Sequence, residues 1–199
     1  VKEKKFSLKI KGNKAEISYL SKKNLLEFNK ILESFCHKYK IDYERVKLLG
    51  ILHYVNIAVF YEKTEHERVV TSEDAARVRN TPLLEGAKAL IFYGDETPIM
   101  LVIAADLKVD TKKIKALYGI KDLRMATPDE VKKVSGVEIG AVPPFGNLFR
   151  ISVYMDEGLR RSEKIVFNAG LHTKSIRMKE RDFEALVKPV VGSFSKSIE

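Results

Sequence analysis

The 199-residue chain has a single cysteine, no tryptophan and no long uninterrupted apolar run. One cysteine excludes a disulfide framework within the chain and a zinc site built on cysteines. No stretch reaches the roughly 18 apolar residues that a membrane helix needs, and no signal peptide opens the chain. The four histidines lack metal-binding spacing, and no Walker or Rossmann glycine loop occurs. We therefore expect no metal, no cofactor and no membrane partner, and a reducing compartment such as the cytoplasm.

Positive charge is the clearest bulk property of the sequence. There are 36 Lys and Arg against 27 Asp and Glu, which gives a formal net charge of +9. Such an excess favours an anionic partner, and nucleic acid is the first candidate. A lysine-rich protein with an ordinary solvated surface explains the charge equally well. The hydrophobic content of 45% is enough for one sizeable domain, with or without an appendage.

Apolar periodicity predicts short helices between hairpins and isolated strands. Alternation on both sides of Gly12-Asn13 predicts a β-hairpin over residues 2–20, and the next apolar spacing predicts a helix that ends near residue 40. Further strands are expected at residues 51–61, 89–93, 99–105, 150–155, 164–168 and 175–178. Capping patterns predict helices at residues 72–78, 112–118, 128–135 and 181–187.

This mixture predicts an α+β fold with a mixed, largely antiparallel sheet or partial barrel flanked by short helices. We interpret residues 1–45 as an N-terminal hairpin-helix extension or small subdomain. Residues 46–191 form the main domain, and residues 192–199 are expected to be a frayed tail.

One lysine stands at the start of an apolar run, in the sequence Gly86-Ala87-Lys88-Ala89-Leu90-Ile91-Phe92-Tyr93. Burying an ammonium group without a partner costs several kcal/mol or lowers its pKa. Lys88 therefore either extends its amine to the surface or is held in place to meet an anionic or carbonyl-bearing ligand. The sequence leaves both interpretations open.

Two loops are further candidates for a site. The segment Gly140-Ala141-Val142-Pro143-Pro144-Phe145-Gly146 is too rich in glycine and proline for a helix or a strand, and it forms either a rigid turn or a binding loop. Asn168-Ala169-Gly170-Leu171-His172 follows a predicted strand. It is either a plain strand-end turn or one wall of a pocket.

The order of these motifs resembles the YbaK superfamily, an editing domain that is also inserted in or appended to prolyl-tRNA synthetases. The resemblance covers about residues 65–188. It depends on five segments in sequence: Thr71–Ala76, Gly86–Leu90, the capped helix at Thr127, Gly140–Gly146 and Asn168–Gly170. Each motif is weak alone, but together they are fairly specific.

The resemblance implies an aminoacyl-tRNA deacylase, which hydrolyses the ester between a wrong amino acid and the terminal ribose of a tRNA, with the proline-tRNA system as a candidate. Lys88 is similar to the essential lysine of the family, and Gly140 and Pro144 match the ends of its Gly-x-x-x-Pro loop. Asn168 and Gly170 stand where the family often has Ser-Ala-Gly. Ala89 replaces a common threonine and Asn168 a serine, so the amino-acid specificity is open.

For catalysis we expect Lys88 to hold ribose, ester or phosphate oxygens, and the backbone N–H groups of Gly140, Ala141 and Val142 to stabilise the oxyanion. The expected substrate-binding residues are Pro143, Pro144, Asn168, Gly170 and His172. Phosphates of the acceptor stem are expected to contact a set of basic residues. This set comprises Lys112, Lys113, Lys115, Lys132, Lys133, Arg160, Arg161, Lys174 and Arg177.

Two other functions fit the sequence. The chain is a non-catalytic tRNA-binding module appended to an aminoacyl-tRNA synthetase, or it is a small-molecule-binding protein with a basic surface. For the deacylase and for the non-catalytic module, the expected partner is the acceptor end of an aminoacyl-tRNA. A synthetase is a second candidate partner.

Overall fold

A computed structural model describes Ser7–Lys11, Lys14–Ser18 and residues 61–198 of the chain. The chain divides into two compact units, Val1–Phe60 and Tyr61–Glu199. In the first unit, strands β1 (Ser7–Lys11) and β2 (Lys14–Ser18) pair in antiparallel fashion, as the predicted hairpin requires.

Several predictions for the N-terminal part lie outside the described residues. These are the helix ending near residue 40, the strand at 51–61 apart from its last residue, and the domain boundary after residue 45.

The second unit contains strands and short helices in alternation. In chain order the strands are β3 (Tyr61–Glu65), β4 (Ala87–Gly94), β5 (Thr97–Ala104), β6 (Leu107–Val109), β7 (Leu123–Met125), β8 (Ser152–Asp156), β9 (Lys164–Asn168), β10 (Lys174–Lys179), β11 (Val190–Gly192) and β12 (Ser195–Ser197). The helices are α1 (Ser72–Arg79), α2 (Thr111–Tyr118), α3 (Pro128–Ser135) and α4 (Glu180–Val187), with 3₁₀ turns at Leu83–Glu85, Gly146–Leu148 and Glu157–Arg161. In the part of the chain that the structure describes, no helix is long and apolar enough to cross a bilayer.

The largest sheet has five strands in the order β11-β8-β5-β4-β7. Strand β5 is parallel to β8 and antiparallel to β4, so the sheet is mixed. A three-stranded antiparallel sheet, β3-β10-β9, lies beside it and is linked by a bridge between Gly86 and Val166. A separate antiparallel ribbon joins β12 to β6. This architecture confirms the predicted α+β class.

A tight two-residue turn joins β4 to β5. Asp95 and Glu96 have φ angles of 46° and 68°, the left-handed conformation at both central positions of a type I′ turn. The backbone twist of this turn matches that of the strands it joins. Strand β5 then passes through the centre of the molecule, and its residues from Met100 to Ala104 are fully buried.

The helix caps follow the sequence closely. Asp110 accepts the backbone N–H groups of two residues in the first turn of α2, and Thr127 forms a capping box with Glu130 at the start of α3. Gly119 and Gly136 end these helices with φ angles of 67° and 70°.

The prediction of a frayed C-terminal tail is wrong for its described residues. Phe194 is fully buried in a cluster that includes Phe92, Leu101 and Ile114. The buried carboxylate of Asp156 accepts the N–H of Phe194 at 2.7 Å and closes the tail onto the sheet. Burial of one aromatic side chain and pairing of a carboxylate together order a segment whose composition alone suggested fraying.

Strand β8 also begins later than expected. It begins at Ser152, because Arg150 has a φ angle of 59° and cannot continue an extended strand.

Candidate active site

A cavity of about 220 Å³ lies between α1, the first half of β4, the loop after α3 and the end of β9. Four residues predicted for the site line it: Lys88, Gly140, Val142 and Asn168. The fold therefore brings three segments that are distant in sequence to one concave surface.

Small side chains form much of the cavity wall. The alanines among the lining residues are Ala75, Ala76, Ala87, Ala89, Ala105 and Ala126. At the base, Gly86 lies so close to β5 that an added Cβ would be 2.7 Å from the Cβ of Ala105. The carbonyl of Gly86 accepts the N–H of Ala105 at 2.7 Å. A glycine is needed there because the two backbones are in direct contact.

Lys88 is half-buried near the start of β4, opposite Ile103. Its Nζ donates a hydrogen bond to the carbonyl oxygen of Leu107 at 2.5 Å. Burial lowers the pKa of the Lys88 ammonium, and the carboxylates of Glu73 and Asp106 oppose that shift through space. An ammonium group has three donors, and only one has a partner among the described residues. Lys88 can therefore offer a charged donor to a ligand.

The loop after α3 opens with a type II turn from Glu138 to Ala141. Gly140 occupies its third position with a φ angle of 81°, where glycine is strongly favoured. The N–H of Ala141 donates to the carbonyl of Glu138 at 3.0 Å, so the expectation that Ala141 serves as an oxyanion donor is wrong. The N–H groups of Gly140 and Val142 have no partner within the described ranges. These two remain as the candidate donors.

A polar chain of hydrogen bonds fixes the position of this turn. The Nδ2 of Asn168 donates to the carbonyl of Gly140 at 2.6 Å. The guanidinium of Arg79, at the end of α1, donates to the Oδ1 of Asn168. The amide orientation of Asn168 is thereby set from both sides.

Arg79 is a site residue that the sequence did not reveal. It lines the cavity, and burial lowers its pKa to about 10. Its Nε and the hydroxyl of Thr81 are buried and have no hydrogen-bond partner among the described residues. In sequence, Arg79 is indistinguishable from an ordinary cation in the last turn of a helix, where the helix dipole favours positive charge.

Four residues predicted to bind substrate or form its loop do not line the cavity. Pro143 and Pro144 are buried within the loop. The N–H of Gly170 donates to the carbonyl of Ala141 at 3.0 Å, which fastens the β9–β10 connection to the turn. His172, which was expected to bind substrate, is only 6% exposed.

The ring of His172 packs against the turn that contains Gly140. Its Nδ1 donates to the carbonyl of Val69 at 2.9 Å, and its Nε2 lies 3.5 Å from the carboxylate of Glu138. A Cβ added at Gly140 would be 3.1 Å from the Cε1 of His172. The ring therefore buttresses the turn, and both of its nitrogens lie near partners within the protein.

Four of the nine predicted basic contacts are already paired with carboxylates. Arg160 pairs with Glu184 at 2.6 Å, Arg161 with Asp106 at 2.5 Å, Lys174 with Glu65 at 3.0 Å and Arg177 with Glu85 at 2.7 Å. Lys132 and Lys133 lie exposed in the last turn of α3 and form no ion pair with any described residue. A cation that is paired with a carboxylate attracts a phosphate less strongly. The basic set therefore contains paired residues and unpaired residues, and the unpaired ones are the better candidates for phosphate contacts.

The described residues contain no group of three or more His, Cys, Asp or Glu side chains placed to hold a metal ion.

The sequence of this chain is similar to those of known proteins. The model of the aminoacyl-tRNA editing domain family matches residues 66–186. The chain is 31% identical over 137 residues to the "Multifunctional Ser/Thr-tRNA deacylase ProXp-y" of Escherichia coli K12, with 66% of this chain and 82% of that protein covered. It is 33% identical over 100 residues to a proline–tRNA ligase of Thermotoga neapolitana, with 50% of this chain but only 17% of the ligase covered.

A solved structure shares the fold. The crystal structure of a putative trans-editing enzyme for prolyl tRNA synthetase superposes with a TM-score of 0.67 at 24% identity, covering 77% of this chain and 96% of that one. The fold and the family predicted from the motifs are thus confirmed, and this chain belongs to the aminoacyl-tRNA editing domain family.

Proposed function

We propose that the cavity beside Lys88 is the site at which this chain hydrolyses the ester between a wrongly attached amino acid and the 3′-terminal ribose of a tRNA. Membership in the editing family gives the reaction class. The observation that carries the assignment of the site is that Lys88 and the Gly140–Val142 turn line one cavity. A cation and two free backbone donors around a small space suit an ester whose carbonyl gains negative charge during hydrolysis.

The reaction proceeds by addition of water to the ester carbonyl. The tetrahedral intermediate carries an oxyanion, which the N–H groups of Gly140 and Val142 stabilise. The bond to the ribose oxygen then breaks, and that oxygen takes up a proton as the amino acid leaves. The ammonium of Lys88 holds ribose or phosphate oxygens of the terminal nucleotide and fixes the ester against the turn.

The water needs no protein base in this scheme. None of the described residues that line the cavity is a carboxylate or a histidine. The neighbouring hydroxyl of the terminal ribose is then the group placed to orient the water. Aminoacyl esters are activated, so positioning and oxyanion stabilisation supply enough rate acceleration.

The cavity has room for an aminoacyl group. A volume of about 220 Å³ with alanine-rich walls accommodates side chains such as those of alanine, serine, threonine or cysteine, although volume alone does not select them over larger ones. The named activity of the E. coli relative toward Ser- and Thr-tRNA supports this range. The related segment in proline–tRNA ligase supports a prolyl-tRNA synthetase as partner.

A panel of aminoacyl-tRNAs tests the function. Alanyl-, seryl-, threonyl-, cysteinyl- and phenylalanyl-tRNA are incubated with the chain, and release of the amino acid is followed with time. We expect hydrolysis of one or more of the small esters and none of the phenylalanyl ester. Binding without hydrolysis of any ester would contradict the proposal and favour the non-catalytic module. Absence of both would favour the small-molecule-binding protein.

A further inference from the structure

The C-terminal strand creates an unusual pair of like charges. In the β6–β12 ribbon, Lys196 stands directly opposite Lys108. Residues that oppose one another in an antiparallel pair point to the same face, with Cβ atoms about 5 Å apart. Two ammonium groups in that arrangement repel and weaken the pair. An anionic ligand bound between the two ammonium groups would relieve this repulsion, and its binding would be favoured for that reason.

A third lysine joins them from α2. The Nζ of Lys113 donates to the carbonyl of Ser195 at 3.4 Å, beside Lys196. Among the described residues, no carboxylate lies within the 4.0 Å ion-pair limit of Lys108, Lys113 or Lys196. We call these three residues the ribbon lysines.

Asp110 is the acid that acts on this cluster. Its carboxylate already accepts the backbone N–H groups of Lys112 and Lys113 as the cap of α2. Those bonds, together with the charges of Lys196 and Lys113, lower the pKa of Asp110, so it is ionised at neutral pH. The carboxylate of Asp156 also lies at the ribbon, where it accepts the N–H and the hydroxyl of Ser195. Two carboxylates against three lysines still leave the cluster positive. Arg160, Arg161 and Lys174 differ, since each has its own carboxylate.

The ribbon adjoins the proposed active site. Leu107, the residue next to Lys108, accepts the hydrogen bond from the Nζ of Lys88. Lys88 lines the cavity, so the strand that carries Lys108 is in hydrogen-bond contact with a residue of the cavity wall.

We propose that Lys108, Lys113 and Lys196 bind backbone phosphates of the tRNA whose 3′ end enters the cavity. This inference rests on the proposed function for the identity of the nucleic acid. Unpaired surface cations that release counterions from phosphates give affinity that is strongly salt-dependent and indifferent to sequence. The ordered C-terminal strand supplies Lys196 and holds it opposite Lys108.

The test compares two triple variants that lose the same charge. The ribbon variant carries Lys108→Gln, Lys113→Gln and Lys196→Gln. The control variant carries Lys63→Gln, Lys121→Gln and Lys188→Gln. Affinity for bulk uncharged tRNA is measured by fluorescence anisotropy between 50 and 300 mM salt, chosen to span roughly the range in which phosphate contacts dominate. Thermal melting confirms that both variants are folded.

We expect the slope of log affinity against log salt to fall by about 2 to 3 in the ribbon variant, near one unit per lost phosphate contact. The control variant is expected to keep most of the parent slope. An unchanged slope in the ribbon variant, or an equal change in both variants, would overturn the proposal.

A second readout separates this inference from the proposed function. The ribbon variant should hydrolyse the aminoacyl ester of adenosine, which lacks the other phosphates of tRNA, at the parent rate. If the parent hydrolyses no ester, the proposed function fails, while the salt slopes still decide whether the ribbon lysines bind nucleic acid.

Discussion

The side-chain amide of Asn168 donates to the carbonyl of Gly140 at 2.6 Å, and its oxygen accepts from Arg79. One side chain therefore couples the end of β9 to both the turn and the end of α1. The two contacts use opposite ends of the amide. A substitution of Asn168 that keeps only one of these ends should therefore change protein stability and catalytic activity by different amounts.

Asn168→Asp provides that separation. The carboxylate pairs with the buried guanidinium of Arg79 and keeps or raises the melting temperature, but it repels the carbonyl of Gly140 and releases the turn. We expect kcat to fall by about tenfold or more, the loss of roughly 1.4 kcal/mol of transition-state stabilisation. Thermal melting and steady-state kinetics measure the two effects. Unchanged kcat would show that the contact with Gly140 does not position the turn.

Gly140 is expected to be sensitive to any side chain, for two reasons. Alanine in the left-handed conformation costs about 1 to 2 kcal/mol. The Cβ would also be 3.1 Å from His172. Gly136→Ala is a matched control, because its φ angle is 70° and a Cβ there meets nothing within 4 Å.

Urea unfolding of the two variants isolates the effect of His172. We expect Gly140→Ala to lose more unfolding free energy than Gly136→Ala, and to lose activity as well. Equal losses would mean that the histidine ring moves aside without cost and does not buttress the turn.

The ordered C-terminal segment makes a large contribution to stability. Phe194→Ala removes a fully buried aromatic ring and should cost about 3 to 5 kcal/mol. Ile198→Ala, whose side chain is 51% exposed, should change stability by less than about 0.5 kcal/mol. Chemical denaturation measures both. A small loss for Phe194→Ala would restore the view that this tail is frayed.

Local signals in the sequence account for what was predicted correctly. The caps at Asp110 and Thr127, the glycine at 136 and the apolar runs of β4 and β5 are determined by neighbours a few residues away. The order of the motifs was sufficient to identify the family, because residues from all five segments line one cavity.

Long-range contacts account for what was missed. Phe194 is buried only because the C-terminal segment returns to the sheet, and the Asp156 carboxylate that accepts its N–H is 38 residues away. Arg79 and His172 acquire their roles from Asn168 and Val69, which the sequence does not place beside them. The partner of the Ala141 N–H depends on turn geometry that residue types alone do not determine.

The lowered pKa of Lys88 gives the reaction a specific pH dependence. Burial favours the neutral amine, so the ammonium loses its proton below the usual 10.5. Activity that needs the cation should fall as pH rises through that lowered pKa. Between that value and about 10.5 the unfolded state holds more protons, so this group makes the free energy of unfolding rise with pH.

Lys88→Arg serves as the control, because in the same surroundings a guanidinium loses its proton about two pH units above an ammonium. After subtraction of uncatalysed hydrolysis, we expect an alkaline decline for the parent and a flat profile for any activity that Lys88→Arg retains. Identical declines in the two proteins would assign the titration to another group.

The most direct test of the central claim is the single-turnover rate of deacylation for Lys88→Ala, with the aminoacyl-tRNA that the parent hydrolyses. Lys121→Ala, at an exposed lysine away from the cavity, is the control. We expect Lys88→Ala to unfold cooperatively and to release the amino acid at the uncatalysed rate, while Lys121→Ala keeps the parent rate. A Lys88→Ala variant that hydrolyses the ester at the parent rate would contradict the assignment of this cavity as the active site.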